Sequence, residues 1–120
     1  MYRFYFEKLD VWNNARELVK LIYQVTSTFP DSEKFGITNQ IRRASTEITA
    51  NIAEGFARTS EKEKSRFITI AYSTSIEVIN FLILSLDLKF INEDQYTELR
   101  EKIEVITNQL NALHNTINKN

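Results

Sequence analysis

Tyr96, Leu99, Ile103, Ile106, Leu110, Leu113 and Ile117 step by three and four residues in strict alternation. No other feature restricts the fold so strongly. A sustained heptad seam puts its apolar side chains on one helical stripe, in the geometry of left-handed bundle packing. One helix cannot bury such a stripe alone, so the rest of the chain must supply partners. It does so three times. Ile37, Ile41, Ala44, Ile48, Ile52 and Phe56 form a second stripe, narrowed by alanine. Trp12, Ala15, Val19, Ile22 and Thr26 form another, widened by Val11, Leu18 and Val25. Phe67, Ile70, Ala71, Thr74, Val78 and Phe81 open the fourth, and from Val78 to Ile91 the chain is apolar almost all round.

The ends of these segments carry their own signals. Asp10 suits an N-cap, and Phe29-Pro30 stops a helix because the residue before proline is pushed out of the α region. Ser60 with Glu63, and Asn92 with Gln95, have capping-box spacing. With two glycines and one proline in 120 residues, turns must be few and helices long. The spacing predicts an all-α, up-and-down four-helix bundle filling one domain, 1–120, with helices at about 10–28, 38–57, 61–89 and 93–118. A helix apolar on every side needs cover on every side. A chain this small cannot easily provide it, so a subunit interface is expected along Val78 to Ile91. The arm before the first helix, with Tyr2, Phe4, Tyr5 and Phe6, must pack on the bundle or a neighbouring subunit, or expose unusual apolar area.

The absence of cysteine excludes disulfides, thiolate metal sites and a catalytic thiol, and suits a reducing cytoplasm. No positive segment followed by an apolar run opens the chain, so no cleaved signal peptide is expected. The tract Ile79 to Leu88, interrupted by Asn80, Ser85 and Asp87, is too short to span a bilayer. A soluble, cytoplasmic protein without a membrane partner is expected.

Catalysis finds little support. Di-metal four-helix bundles need inward glutamates and two Glu-x-x-His motifs. This chain has one histidine, His114, with no glutamate three residues before it, and a surface or rim position suits it. No histidine is placed to activate the serines and threonines, and no glycine-rich run cradles phosphate. No enzyme activity and no cofactor or metal are expected.

The net charge is −1, yet it is unevenly spread: residues 34–66 hold seven basic against four acidic groups. That third contains Gln40 to Arg58, with the only adjacent arginine pair, Arg42-Arg43. Arg43, Glu47, Asn51, Glu54 and Arg58 recur at helical spacing. A structural polar network is expected, with pairs Arg43–Glu47 and Glu54–Arg58. Glu77, set among apolar neighbours, would reach Arg42 or Arg43 from the third helix, and Asn51 would fix register across helices. The other use of these charges is binding. Arg42, Arg43, Arg58, Lys62, Lys64 and Arg66 are the candidate phosphate contacts, although Glu61 and Glu63 dilute them and no aromatic lies among the residues of the turn to stack a base.

Leu9-Asp10-Val11-Trp12 with Ala15, Phe29-Pro30, Phe35-Gly36, Gln40-Ile41-Arg42-Arg43-Ala44, Asn51-Ile52-Ala53-Glu54-Gly55 and Arg58 together resemble the bacterial 23S rRNA intervening-sequence proteins. Glu63, Phe67, Ile70-Ala71 and Glu77 extend the match across nearly the whole chain. It departs at Tyr72-Ser73, where the family usually has a basic residue and glycine. The resemblance implies a four-helix protomer assembling into a ring-shaped homo-oligomer, a homopentamer. Similar accessory proteins of diversity-generating retroelements assist a reverse transcriptase and contact nucleic acid through a basic ring surface. Two functions stay open: an interaction protein binding RNA, DNA or a nucleic-acid-handling partner, and a scaffold ring with no nucleic-acid affinity.

Overall fold

A computed structural model describes residues 1–118 and contains four α-helices: α1 (Asp10–Thr26), α2 (Ile37–Gly55), α3 (Glu61–Asp87) and α4 (Glu93–Ile117). Among the described residues there is no strand. Each helix packs on its neighbours in sequence, and α1 closes on α4 while the diagonal pairs stay apart. Five residues join α2 to α3 and α3 to α4, which leaves room only for reversal of direction. The result is a four-helix bundle.

The core follows the stripes with one shift. Ile41, Ile48 and Ile52 of α2 and Leu99, Ile103, Ile106 and Leu110 of α4 are buried as their spacing requires. In α1 the buried row is Val11, Ala15, Leu18 and Ile22, with Trp12 and Val19 half-buried. Ser45, Ser75 and Ser85 are wholly buried. Each hydroxyl donates within its own helix, to the carbonyls of Arg42, Ala71 and Phe81 at 2.9, 2.8 and 2.7 Å. Satisfied this way, small polar residues can line a core without an unpaired group.

The helix ends depart from several expectations. Leu9, not Asp10, holds the cap position of α1, and Asp10 sits in the first turn, where its charge still favours the helix dipole. Helix α1 stops at Thr26, two residues before its expected end, and α2 ends at Gly55 rather than Ala57. Asn92 and Gln95 form the full reciprocal box, at 2.8 and 2.9 Å. At α3 only half forms: Ser60 Oγ accepts from the Glu63 amide at 3.0 Å. The Glu63 carboxylate is engaged elsewhere. Helix α3 closes in a Schellman turn, with the Phe90 amide donating to Ser85 at 2.8 Å and the Lys89 amide to Leu86 at 3.0 Å. Lys89 adopts φ 64° there, a left-handed conformation that glycine usually occupies.

Helix α3 bears on two expectations. Its length and an 18-residue window of mean hydropathy 1.7 reach the range of a bilayer span, which the short tract Ile79 to Leu88 did not suggest. Of that window 39% is buried in the bundle. One protomer does not cover the helix on every side, as expected for so small a chain. Ile76, Ile83, Leu84 and Leu88 are 40–56% exposed. Tyr72, Ile76, Ile79 and Ile83 form one outward stripe at helical spacing, and Leu84 and Leu88 lie on another with Glu77.

Replacing Lys89 with glycine removes the left-handed penalty, about 1 kcal/mol, at some cost in unfolded-chain entropy. Urea denaturation of Lys89→Gly is expected to show a gain of about 0.5–1 kcal/mol. A loss would mean that the lysine side chain contributes more than its backbone costs.

Candidate nucleic-acid interface

The six candidate phosphate contacts fall into two groups. Arg42 and Arg43 lie in the first half of α2, and about 18 Å of helix axis separates Arg43 from Gly55. Arg58, Lys62, Lys64 and Arg66 lie around the α2–α3 turn. The structure does not gather them into one patch.

Arg42 is half-buried and tied to α1. Its Nε donates to Thr26 Oγ1 at 2.8 Å, and its guanidinium sits 4.5 Å from the centre of the Tyr23 ring. Thr26 passes the contact on by donating to the Ile22 carbonyl at 2.6 Å. This arginine fastens α2 to the end of α1. Arg43 pairs with Glu47 at 3.2 Å, as the spacing predicts.

Three other expected contacts within the polar network do not form. Among the described residues no carboxylate lies within 4.0 Å of the Arg58 guanidinium, so the Glu54–Arg58 pair is absent. Glu54 is exposed and Gly55 ends the helix, which lets Arg58 swing away with the turn. Glu77 is exposed rather than wedged among apolar side chains. It shares an open cleft of about 360 Å³ with Gln40, Arg43, Ala44 and Glu47, but makes no ion pair within 4.0 Å. Asn51 donates to the Glu47 carbonyl one turn back at 2.9 Å and so bonds within its own helix, not across.

The turn is built on close packing. A Cβ placed on Gly55 would meet Phe67 Cβ at 2.9 Å, so only glycine lets α3 approach this near. Phe67 is thereby fixed at the start of α3, 7% exposed. The Arg58 and Arg66 guanidinium groups sit 4.8 and 4.7 Å from its ring centre. Lys64 lies 5.5 Å from the Phe56 ring, which also touches Tyr5 at 5.6 Å. Aromatic rings therefore lie beside the basic residues, but Phe67 is core and turns no open face to a base, as expected. Phe67 was legible only as core, because its spacing puts it on the buried stripe.

Neutralisation divides the four cations of the turn. Lys64 pairs with Glu61 at 3.3 Å, and its side chain is only 21% exposed. Arg66 pairs with Glu63 at 2.7 Å. The hydrogen bond from Arg66 and its charge hold the Glu63 carboxyl below the usual range, with Arg58 and Lys62 adding to the effect. Arg58 and Lys62 are exposed, and among the described residues neither has a carboxylate within 4.0 Å. Those two cations are available to an anion.

Elsewhere, His114 is half-buried in a groove between α3 and α4 with Tyr72, Ile68 and Leu110. No group of three or more histidine, cysteine or acidic side chains placed to hold a metal occurs among the described residues.

Two expected outcomes test these assignments. Because its folded value lies below the unfolded one, the Glu63–Arg66 pairing is complete above the ordinary glutamate range and is lost as pH falls through the folded value. Carboxyl-detected NMR should give Glu63 a lowered pKa that Arg66→Gln raises; a glutamate titrating normally in the parent protein refutes the pairing. Arg42→Ala should cost about 1–2 kcal/mol in urea denaturation through its lost hydrogen bond and ring contact. An unchanged midpoint would remove Arg42 from its structural role.

Comparison with known proteins bears on the whole bundle. Residues 7–112 match the family model described as 23S rRNA-intervening sequence protein. The fold is similar to a crystal structure of a protein of unknown function from the S23 ribosomal protein family of Bacteroides thetaiotaomicron. The TM-score is 0.79 at 23% identity, over 87% of this chain and 97% of that one. No curated protein matches the chain.

Proposed function

The chain belongs to the 23S rRNA-intervening sequence protein family, and from that premise we propose a non-enzymatic, oligomeric interaction protein that binds nucleic acid. The observation that carries this is the pair Arg58 and Lys62, exposed at one corner and without a carboxylate within 4.0 Å among the described residues. A guanidinium resting on the Phe67 ring keeps its outer edge for phosphate oxygens. Lys64 and Arg66 contribute less, since Glu61 and Glu63 already hold them. Arg42 belongs to the α1–α2 contact, and Arg43 is taken up by Glu47. The charge of one protomer is small, so assembly matters: a ring repeats the corner around its axis and sums the field.

The apolar residues left outside on α3 support that assembly. Ile76 with Ile83 on one stripe and Leu84 with Leu88 on another leave much apolar surface in water, and a neighbouring copy would cover it. We take the assembly to be a ring-shaped homopentamer, cytoplasmic and without a membrane partner. The same apolar face supports a second function, a scaffold ring that holds a reverse transcriptase or another nucleic-acid-handling protein and has no nucleic-acid affinity of its own.

Anisotropy of labelled RNA and DNA across a salt series separates the two. Nucleic-acid binding predicts affinity falling steeply with salt, and a shallower slope with at least tenfold weaker binding for Arg58→Ser/Lys62→Ser. No binding at low salt leaves only the scaffold. Light scattering in detergent-free buffer is expected to give a discrete oligomer; a monomer at micromolar concentration overturns the ring.

A further inference from the structure

We propose that the N-terminal arm and the α2–α3 turn form one site, and that its ligand is single-stranded rather than duplex nucleic acid. This rests on the nucleic-acid function above and specifies the form of ligand.

The arm is a fixed platform. The Phe4 amide donates to the Glu7 carboxylate at 2.7 Å, and Arg3 donates to the Glu7 carbonyl at 3.1 Å. Residues Tyr5–Lys8 form a 3-10 turn, and Phe6 packs edge-on against Trp12 at 5.0 Å. Tyr2, Phe4 and Tyr5 remain 78%, 61% and 61% exposed. Three rings in water on an ordered arm can be covered at little further entropic cost.

Phe56 joins this arm to the basic turn, with Tyr5 against it at 5.6 Å and the Lys64 ammonium at 5.5 Å. Arg3 and Lys8 lie on the arm itself, and Arg58 and Lys62 lie on the turn that follows Phe56. Among the described residues none of these four has a carboxylate within 4.0 Å. Three of the acids here are occupied, Glu7 by the Phe4 amide, Glu61 by Lys64 and Glu63 by Arg66, while Glu54 at the end of α2 is exposed.

Exposed rings on an arm that Phe56 joins to a turn with free cations match a strand whose bases are unstacked and whose phosphates run alongside. A duplex offers its phosphates but keeps its bases stacked, so it would use the cations and leave the rings wet. An apolar groove on a second copy would cover the rings but strand the four cations at a dry interface. Single strands satisfy both sets.

The experiment measures anisotropy of a labelled oligouridylate, an oligothymidylate and a blunt hairpin duplex. Wild type should prefer the single strands by at least tenfold. Tyr2→Ala/Phe4→Ala, at rings that stack on each other, should weaken single-strand binding by roughly 10- to 100-fold with the salt slope unchanged. Tyr2→Leu/Phe4→Leu should lose as much, since leucine keeps apolar area but not a stacking face. Arm variants that bind single strands like wild type, or equal affinity for the hairpin, overturn the proposal while leaving the Arg58/Lys62 surface intact. Arm variants that change the mass of the assembly overturn it in favour of a subunit contact. No binding of any strand form at low salt fails the underlying function itself, and the arm site with it.

Discussion

Everything at the corner between α2 and α3 depends on how closely Gly55 lets α3 approach α2. The distance from a would-be Cβ on Gly55 to Phe67 Cβ is 2.9 Å, below any comfortable carbon–carbon contact. Because that space stays empty, Phe67 sinks to 7% exposure with its ring held between two structural demands. Inward it completes the end of the core. Outward it seats Arg58 and Arg66. A larger residue at 55 would move the ring and with it both guanidinium groups, so packing and surface charge are one constraint here.

Helix α3 is where the bundle is incomplete. Its inner row, from Ile68 through Ala71, Val78 and Leu82, is wholly buried, and the serines at 75 and 85 are satisfied by their own helix. Its outer rows are nearly as apolar, which is why the helix reaches the composition of a bilayer span. Rows facing opposite ways cannot all be buried by the two helices, α2 and α4, that pack on α3. The protomer therefore leaves Ile76, Ile83, Leu84 and Leu88 facing water.

The bundle was legible in the sequence because periodicity is a statement about one helix at a time. The α4 seam and the α2 stripe needed no knowledge of neighbours, and the Asn92–Gln95 box is a local hydrogen-bonding pattern. What was not legible depends on neighbours or on backbone detail. Glu54 and Arg58 have i,i+4 spacing, yet the helix ends between them, so the spacing no longer places them face to face. Asn51 looked like a device for register across helices, but the carbonyl one turn back is a nearer partner. Arg42 looked like half of a basic pair, and only the packing of α1 on α2 shows that Thr26 and Tyr23 claim it. Lys89 carries no sign of its left-handed conformation, because glycine is the usual signal and it is absent.

The candidate interface was read in fragments: the basic turn as one feature, the aromatic arm as another. Their union rests on Phe56, the last apolar position of the α2 stripe, which is only half-buried because the helix has already ended beneath it. A fully buried Phe56 would have served the core and left Tyr5 and Lys64 without common ground. A fully exposed one would have given neither a firm seat. The imperfect end of an amphipathic stripe is thus what brings rings and cations together. It also explains why the same run of residues identifies the fold so well and the ligand so poorly, since each of them is there first for packing.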